Sequence, residues 1–304
     1  MKGQVIKSTG LWYEVKVENE VKIARLRGKL KLTTLKLTNP IAVGDWVELV
    51  PHNRDTQELV IERVHPRENY VIRQSPRKKG HDHMIASNID QGVLVVTQRM
   101  PRTSVGFIDR FLISLEAFRI PGVIIFNKSD LYLKKDEDSY QELKDIYESI
   151  GYQVLLTSLI EDPTDSLISL FLGKCSLLSG HSGAGKSTLI NHLIPEANQE
   201  VKDVSSFASK GVHTTTFAEM FSLDKDSSII DTPGIKELGL SEIENEELSH
   251  YFPEMRPFLE GCKFHNCLHV NEPGCCVKDQ VGQKISEMRY KSYLSILRNE
   301  DNRR

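Results

Sequence analysis

Apolar residues occupy alternate positions in five short runs within the first 65 residues: GQVIKS, WYEVKVE, VKIARLR, GDWVELV and ELVIERV. A period of two turns one side of each strand to a core and the other to water, and Gly, Asn-Glu, Asn-Pro and Asn-Arg-Asp separate the runs. Residues 1–65 therefore predict a small all-β module, an OB-fold or another five-stranded barrel. Residues 66–90 mix Pro, Arg, Lys and Gly with little periodicity and read as a connector. From residue 91 the pattern changes. GVLVVTQ, GVIIFNK, YQVLLTS, CSLLSG and SSIIDTPG are continuous apolar runs, interleaved with the helical stretches GFIDRFLISLEAF, SYQELKDIYESIG and STLINHLI. Buried parallel strands alternating with helices predict a doubly wound α/β domain over 91–240. The remainder, 241–304, predicts a small, mostly helical unit in which Val281, Ile285, Met288 and Ile296 approximate one helical face.

Composition adds a class and a compartment. The 304 residues are 39% hydrophobic and 27% charged, the profile of a soluble multidomain protein. No apolar run approaches the roughly 18 residues of a membrane span, and the charged N-terminus does not resemble a signal peptide. A cytoplasmic protein is expected. Net charge is −3, but residues 1–80 hold 16 Lys and Arg against 9 Asp and Glu, leaving 23 against 33 for the rest. The cations Lys22, Arg25, Arg27, Lys29, Lys31 and Lys36 gather on the third strand and its following loop, a density suited to nucleic-acid phosphates.

The chemistry lies at the ends of the apolar strands, where open α/β sheets bind ligands. Gly180-His181-Ser182-Gly183-Ala184-Gly185-Lys186-Ser187, followed by Thr188, satisfies G-x-x-x-x-G-K-[ST] between a strand and a helix. Its glycines let backbone N–H groups surround phosphate oxygens, Lys186 neutralises the β- and γ-oxygens, and the Ser187 hydroxyl ligates Mg²⁺. Asp231-Thr232-Pro233-Gly234 follows another strand, bringing a carboxylate to the Mg²⁺ and the Gly234 N–H to the γ-phosphate. Of the three threonines 214–216 that precede it, Thr215 is favoured to close on the Mg²⁺. Asn127-Lys128-Ser129-Asp130 ends a third strand. The Asp130 carboxylate accepts from guanine N1–H and the 2-amino group, a donor pair adenine lacks, so GTP is expected over ATP. Thr157-Ser158 forms the base-side loop.

The order of these parts is unusual: base motif, base-side loop, phosphate loop, switch threonines, Asp-x-x-Gly. Ordinary guanine-nucleotide switches begin with the phosphate loop. Rejoining neighbouring termini and opening another loop preserves the site, so the chain reads as a circularly permuted GTPase. The position that holds a water-orienting glutamine in Ras-like enzymes is Ile235 here, and an apolar side chain cannot orient water. His213, directly before the threonines, is the candidate for that task.

Four of the five cysteines crowd the C-terminal stretch. Cys262, Cys267, His269 and Cys275 supply three thiolates and an imidazole, a donor set for a closed tetrahedral structural Zn²⁺. Cys276 is an alternative to its neighbour, and His265 is a bystander.

These motifs together resemble the RsgA/YjeQ family of bacterial circularly permuted GTPases, which act in late maturation of the small ribosomal subunit. The resemblance covers nearly the whole chain: OB-fold, permuted GTPase core and a zinc domain marked by CKFHNCLHVNEPGC. It implies binding to the 30S subunit and 16S rRNA near the decoding region, slow GTP hydrolysis stimulated there, and departure after GDP forms. It also favours His213 as the catalytic histidine. Nothing in the sequence demands more than a monomer.

Overall fold

The computed structural model describes residues 1–26, 40–52, 58–74, 82–161, 165–199, 218–232, 240 and 243–300. The five alternating runs form β1 (Lys2–Ser8), β2 (Trp12–Val17), β3 (Glu20–Leu26), β4 (Trp46–Pro51) and β5 (Leu59–Val64). They pair in the order β1-β2-β3-β5-β4, and β4 returns to β1, so the sheet closes into a barrel. Inward residues Val5, Tyr13, Val15, Ala24, Val47, Leu49 and Ile61 fill it, as the alternation requires.

The stretch 66–90, expected to be an irregular connector, holds an antiparallel hairpin of β6 (Tyr70–Gln74) and β7 (Asp82–Ser87). Its apolar residues Val71 and Ala86 are buried against the adjacent α/β core. The short strands carry too few apolar positions to reveal a period. A buried polar knot fixes their base: Arg67 grips Asp45 through Nε and Nη2, each at 2.6 Å, while the Ser87 hydroxyl donates to Asp45 Oδ1 at 2.6 Å.

The α/β domain contains β8 (Gln91–Val96), α1 (Val105–Ala117), β9 (Gly122–Phe126), α2 (Lys134–Ser149), β10 (Gln153–Leu156), α3 (Asp165–Phe171), β11 (Cys175–Ser179) and α4 (Lys186–Leu193), then β12 (Glu219–Ser222) and β13 (Ser228–Asp231). Its strand order is β10-β9-β8-β11-β13-β12, all parallel except β12. The chain first builds β8-β9-β10 outwards in one direction. It then returns beside β8 with β11 and builds the other half. The seam is short: residues 172–174 alone join α3 to β11. The switch point between β8 and β11 opens a crevice at the strands' C-terminal ends. Neither α3 nor the four-residue strand β12 is anticipated by the apolar pattern.

β12 also pairs with β1, at Lys7↔Glu219, so barrel and α/β sheet form one continuous eleven-stranded sheet among the described residues. The C-terminal unit is built from 3₁₀ turns, α5 (Cys276–Asp279) and α6 (Glu287–Leu297). Here the expected helical face needs correction. Ser286 caps α6 by accepting from Met288 N, so Val281 and Ile285 precede the helix and meet each other in an isolated bridge. The buried positions of α6 are Arg289, Ser292, Tyr293 and Ile296, of which Tyr293 and Ile296 share a core with Ile113 of α1. No helix among the described residues is long and apolar enough to cross a membrane.

Candidate functional site

Three strand ends bring the motifs together. Residues 127–130 leave β9, the glycine-rich loop leaves β11, and Asp231 ends β13. Asn127, buried, donates through its amide to the Ala184 carbonyl at 2.8 Å and accepts from Leu159 N at 3.3 Å. One side chain thereby ties the base motif, the phosphate loop and the base-side loop. Its closeness explains Gly185: φ is +109°, and a Cβ there would collide with the Asn127 amide. Gly180, at φ +147°, would likewise drive a Cβ into the Val95 carbonyl.

Lys128 adopts the left-handed region at φ 64°, which turns the chain at the end of β9, and its Nζ donates to the Met100 carbonyl at 2.6 Å. Asp130 accepts from the Ser158 hydroxyl at 2.7 Å, and Ser129 N donates to the Thr157 carbonyl at 3.2 Å. Thr157 and Ser158 are buried, so the base-side loop is a firm wall that aims Asp130. On the phosphate side, Lys186 Nζ donates to the carbonyls of Gly180 at 2.7 Å and His181 at 3.1 Å. Burial lowers the Lys186 pKa and the Asp231 carboxylate opposes that shift. Burial raises the Asp231 pKa, opposed by Lys186, and Asp231 Oδ1 is buried without a partner among the described residues. A buried carboxylate oxygen with spare capacity, beside an ammonium and a helix N-terminus, fits a hydrated Mg²⁺ and phosphates. Ser182 is exposed on the loop, while Gly183, Ser187 and Thr188 are half-buried around it. His181 stacks on Phe107 of α1, with ring centroids 3.9 Å apart. His213, Thr214, Thr215, Thr216 and Gly234 lie outside the described residues.

The sequence reading overlooked some partners. Thr232, inside the Asp-x-x-Gly motif, is buried and donates to the Leu178 carbonyl at 2.9 Å, pinning the end of β13 to β11. Its place in the motif was a signal. The Met100 carbonyl had none, because a backbone acceptor leaves no mark in sequence.

A second cluster lies in the C-terminal unit. One donor atom from each of Cys262, Cys267, His269 and Cys275 falls within 4.8 Å of the others. His269 Nδ1 is 3.6 Å from Cys262 Sγ and 3.4 Å from Cys275 Sγ. Lys278 N donates to Cys275 Sγ at 3.4 Å, the polar support a thiolate requires. Cys276 turns away, its thiol donating to the Gly261 carbonyl at 2.8 Å, which decides between the two neighbours. Burial pushes the Cys275 thiol up to about 12 and raises Cys267. With no cation beside them the neutral thiols are therefore favoured, and it is the soft four-donor set itself that can hold a metal ion.

A parallel sheet in this strand order, with a phosphate loop at its switch point and a base-reading tetrad touching that loop from earlier in the chain, defines a circularly permuted P-loop GTPase. Comparison with known proteins agrees. Residues 64–241 match the RsgA GTPase family and residues 2–57 the RsgA N-terminal domain. The chain belongs to the RsgA GTPase family. It is 54% identical over the full length of both chains to the small ribosomal subunit biogenesis GTPase RsgA of Cytophaga hutchinsonii. It is 44% identical to that of Phocaeicola vulgatus, covering 99% of this chain and 97% of the other. Among solved structures, YjeQ from Thermotoga maritima superposes with a TM-score of 0.74 at 35% identity, over 100% of this chain and 99% of that one. YloQ, a circularly permuted GTPase, superposes with a TM-score of 0.72 at 30% identity, covering 100% and 96%.

Proposed function

We propose that this chain binds and hydrolyses GTP in the crevice and uses the cycle to assist late maturation of the small ribosomal subunit. The observation that carries the nucleotide reading is the Asn127–Ala184 hydrogen bond, which brings base-reading and phosphate-binding elements into contact across 57 residues. In this reading Asn127 and Asp130 hold guanine, with Lys128 packed on its face and Ser129, Thr157 and Ser158 framing the pocket. Residues 180–188 cradle the phosphates. Lys186 exchanges its two carbonyl acceptors for phosphate oxygens, and Ser187 and Thr215 ligate Mg²⁺ beside Asp231. The Mg²⁺ supplies charge neutralisation to the phosphates when bound. Gly234 senses the γ-phosphate and His213 orients the attacking water.

The relatives' names support a role on the ribosome, and the barrel supplies a surface for it. Trp12 and Ile23 are 44% and 62% exposed on β2 and β3, and with Thr9 and Glu14 they line an open cavity of about 390 Å³. Lys16, Lys22 and Arg25 share these strands, with Lys22 paired to Glu20 and Arg25 to Glu58 at 2.8 Å. Aromatic and apolar surface interleaved with cations on strands 2 and 3 of such a barrel suits RNA, here 16S rRNA of the 30S subunit. The remaining cations of the expected patch, Arg27, Lys29, Lys31 and Lys36, lie outside the described residues. The metal of the C-terminal unit is one structural Zn²⁺, and the protein works as a cytoplasmic monomer.

The function is tested by GTP turnover with and without purified 30S subunits. The parent is expected to accelerate on the subunit, and His213→Ala to lose about 10²-fold or more of the stimulated rate. A parent rate indifferent to 30S subunits would refute the ribosomal reading, and an unimpaired variant the histidine's role. For the metal, one zinc per chain is expected on elemental analysis, and Cys267→Ser should lose it together with the protease resistance of residues 243–300. A zinc content near zero in protein purified without chelator would remove this assignment.

A further inference from the structure

A row of charged residues crosses from the barrel into the nucleotide site. Glu14 of β2 is the direct cross-strand partner of Lys7 on β1, Lys7 of Glu219 on β12, and Glu219 of Asp231 on β13. Residues directly opposed in antiparallel strands project from the same face of the sheet with neighbouring Cβ atoms, so the four side chains stand side by side. Lys7 Nζ donates to Glu219 Oε1 at 2.8 Å, a side-chain bond between the two residues that also form the single register pair of β1 and β12 among the described residues. Beyond Asp231 stands Lys186. The order of charge is therefore minus, plus, minus, minus, plus, with two carboxylates adjacent and one barrel lysine balancing the outer one.

We propose that Lys7, in the barrel, is a positioning residue for the nucleotide site: its ion pair neutralises Glu219, whose charge otherwise adds to that of Asp231 and repels the phosphates. Like charges directly opposite each other on a sheet are unfavourable, so Glu219 needs this partner whenever Asp231 is ionised. The electrostatics agree in sign: burial is the main cause raising the Asp231 pKa and Glu219 adds a smaller push the same way, while the hydrogen bond to Glu219 leads the causes raising that of Lys7. Glu14, the other carboxylate beside Lys7, also lines the exposed barrel cavity, so the row begins at the surface assigned above to RNA.

The inference rests on the phosphate-loop reading and gives signs that a merely structural tie does not. Affinity for a fluorescent GDP analogue is measured in chelator and in Mg²⁺ for the parent, Lys7→Ala, Lys7→Arg, Glu219→Gln and the Lys7→Ala/Glu219→Gln pair. A unit charge acting over about one Debye length changes affinity on the order of threefold. Without Mg²⁺, Lys7→Ala should weaken binding by about that factor. Glu219→Gln should strengthen it, the double variant should return close to the parent, and Lys7→Arg should match the parent. Added salt should shrink every difference. If Lys7→Ala and Glu219→Gln shift affinity in the same direction, or neither shifts it, the inference is overturned. Lys186→Ala separates the two levels: binding that survives it unchanged refutes the phosphate-loop reading itself, whereas binding sensitive to Lys186 but not to Lys7 refutes only this proposal.

Discussion

Lys186→Ala is expected to weaken GTP and GDP binding by about two to three orders of magnitude, because truncating one partner of a desolvated, hydrogen-bonded charge pair costs about 2–5 kcal/mol. The ammonium stands at the N-terminal end of α4 beside Asp231, half-buried, and its two present acceptors belong to the phosphate loop itself. Without it, the helix N-terminus and the loop N–H groups still face phosphate, but the compensating charge against Asp231 is gone. Isothermal titration calorimetry with GDP, GTP and ATP reads the effect. Asp130→Ala should act differently, erasing the preference for guanine over adenine while leaving the phosphate contacts in place. Should Lys186→Ala bind GDP like the parent, the crevice is not the nucleotide site.

Arg289→Ala is expected to cost about 3–5 kcal/mol of stability, the range for breaking a buried ion pair from one side. Arg289, on α6, is 1% exposed and forks onto Glu254, Nε to Oε1 at 2.7 Å and Nη2 to Oε2 at 3.2 Å, while Nη1 donates to Asp109 of α1. Its guanidinium lies 4.7 Å from the centroid of the Phe252 ring and 5.7 Å from that of Tyr147. Burial holds the Tyr147 phenol well above its ordinary pKa, so it stays protonated and donates a hydrogen bond to Asp109 Oδ1 at 2.8 Å. Removing the arginine leaves two carboxylates buried without their cation. Lysine should not rescue the loss, because a single ammonium cannot replace a planar fork that serves both acids. Denaturant unfolding followed at the aromatic residues tests this, and an unchanged midpoint for Arg289→Ala would contradict it. The contrast with Lys7–Glu219, about a third exposed on both sides, is instructive: such a pair is worth about 0–1 kcal/mol and matters for where its charge lies.

The same arginine shows how the C-terminal unit relates to the nucleotide site. Asp109 is two residues after Phe107, whose ring stacks on His181 of the phosphate loop. Helix α1 therefore touches the loop near its start through Phe107 and packs on the C-terminal unit through Asp109 and Ile113.

The sequence by itself determined the elements whose own periodicity or motif is long enough to read, which the short helix α3 is not. Alternation marked the five barrel strands because each has one wet and one dry side. Continuous apolar runs marked the parallel strands because both their faces are covered. The phosphate loop, the base tetrad and the Cys262, Cys267, His269, Cys275 spacing were legible because backbone conformation and ligand chemistry restrict the residues allowed there. Only the tertiary structure decided what depends on pairing between distant segments. The β6–β7 hairpin and the short strand β12 take their stability from neighbours rather than from their own periodicity, so neither leaves a pattern of its own. Ser286 stopped α6 short of the expected apolar face, and burial of Arg289 became favourable only where α1 and the 254 region brought two carboxylates to it. Lys7 and Glu219 are unremarkable surface-type charges in the chain, and the motif that marks Asp231 does not point to either of them. The three form a row because strand register, a property of the folded sheet alone, sets them opposite one another.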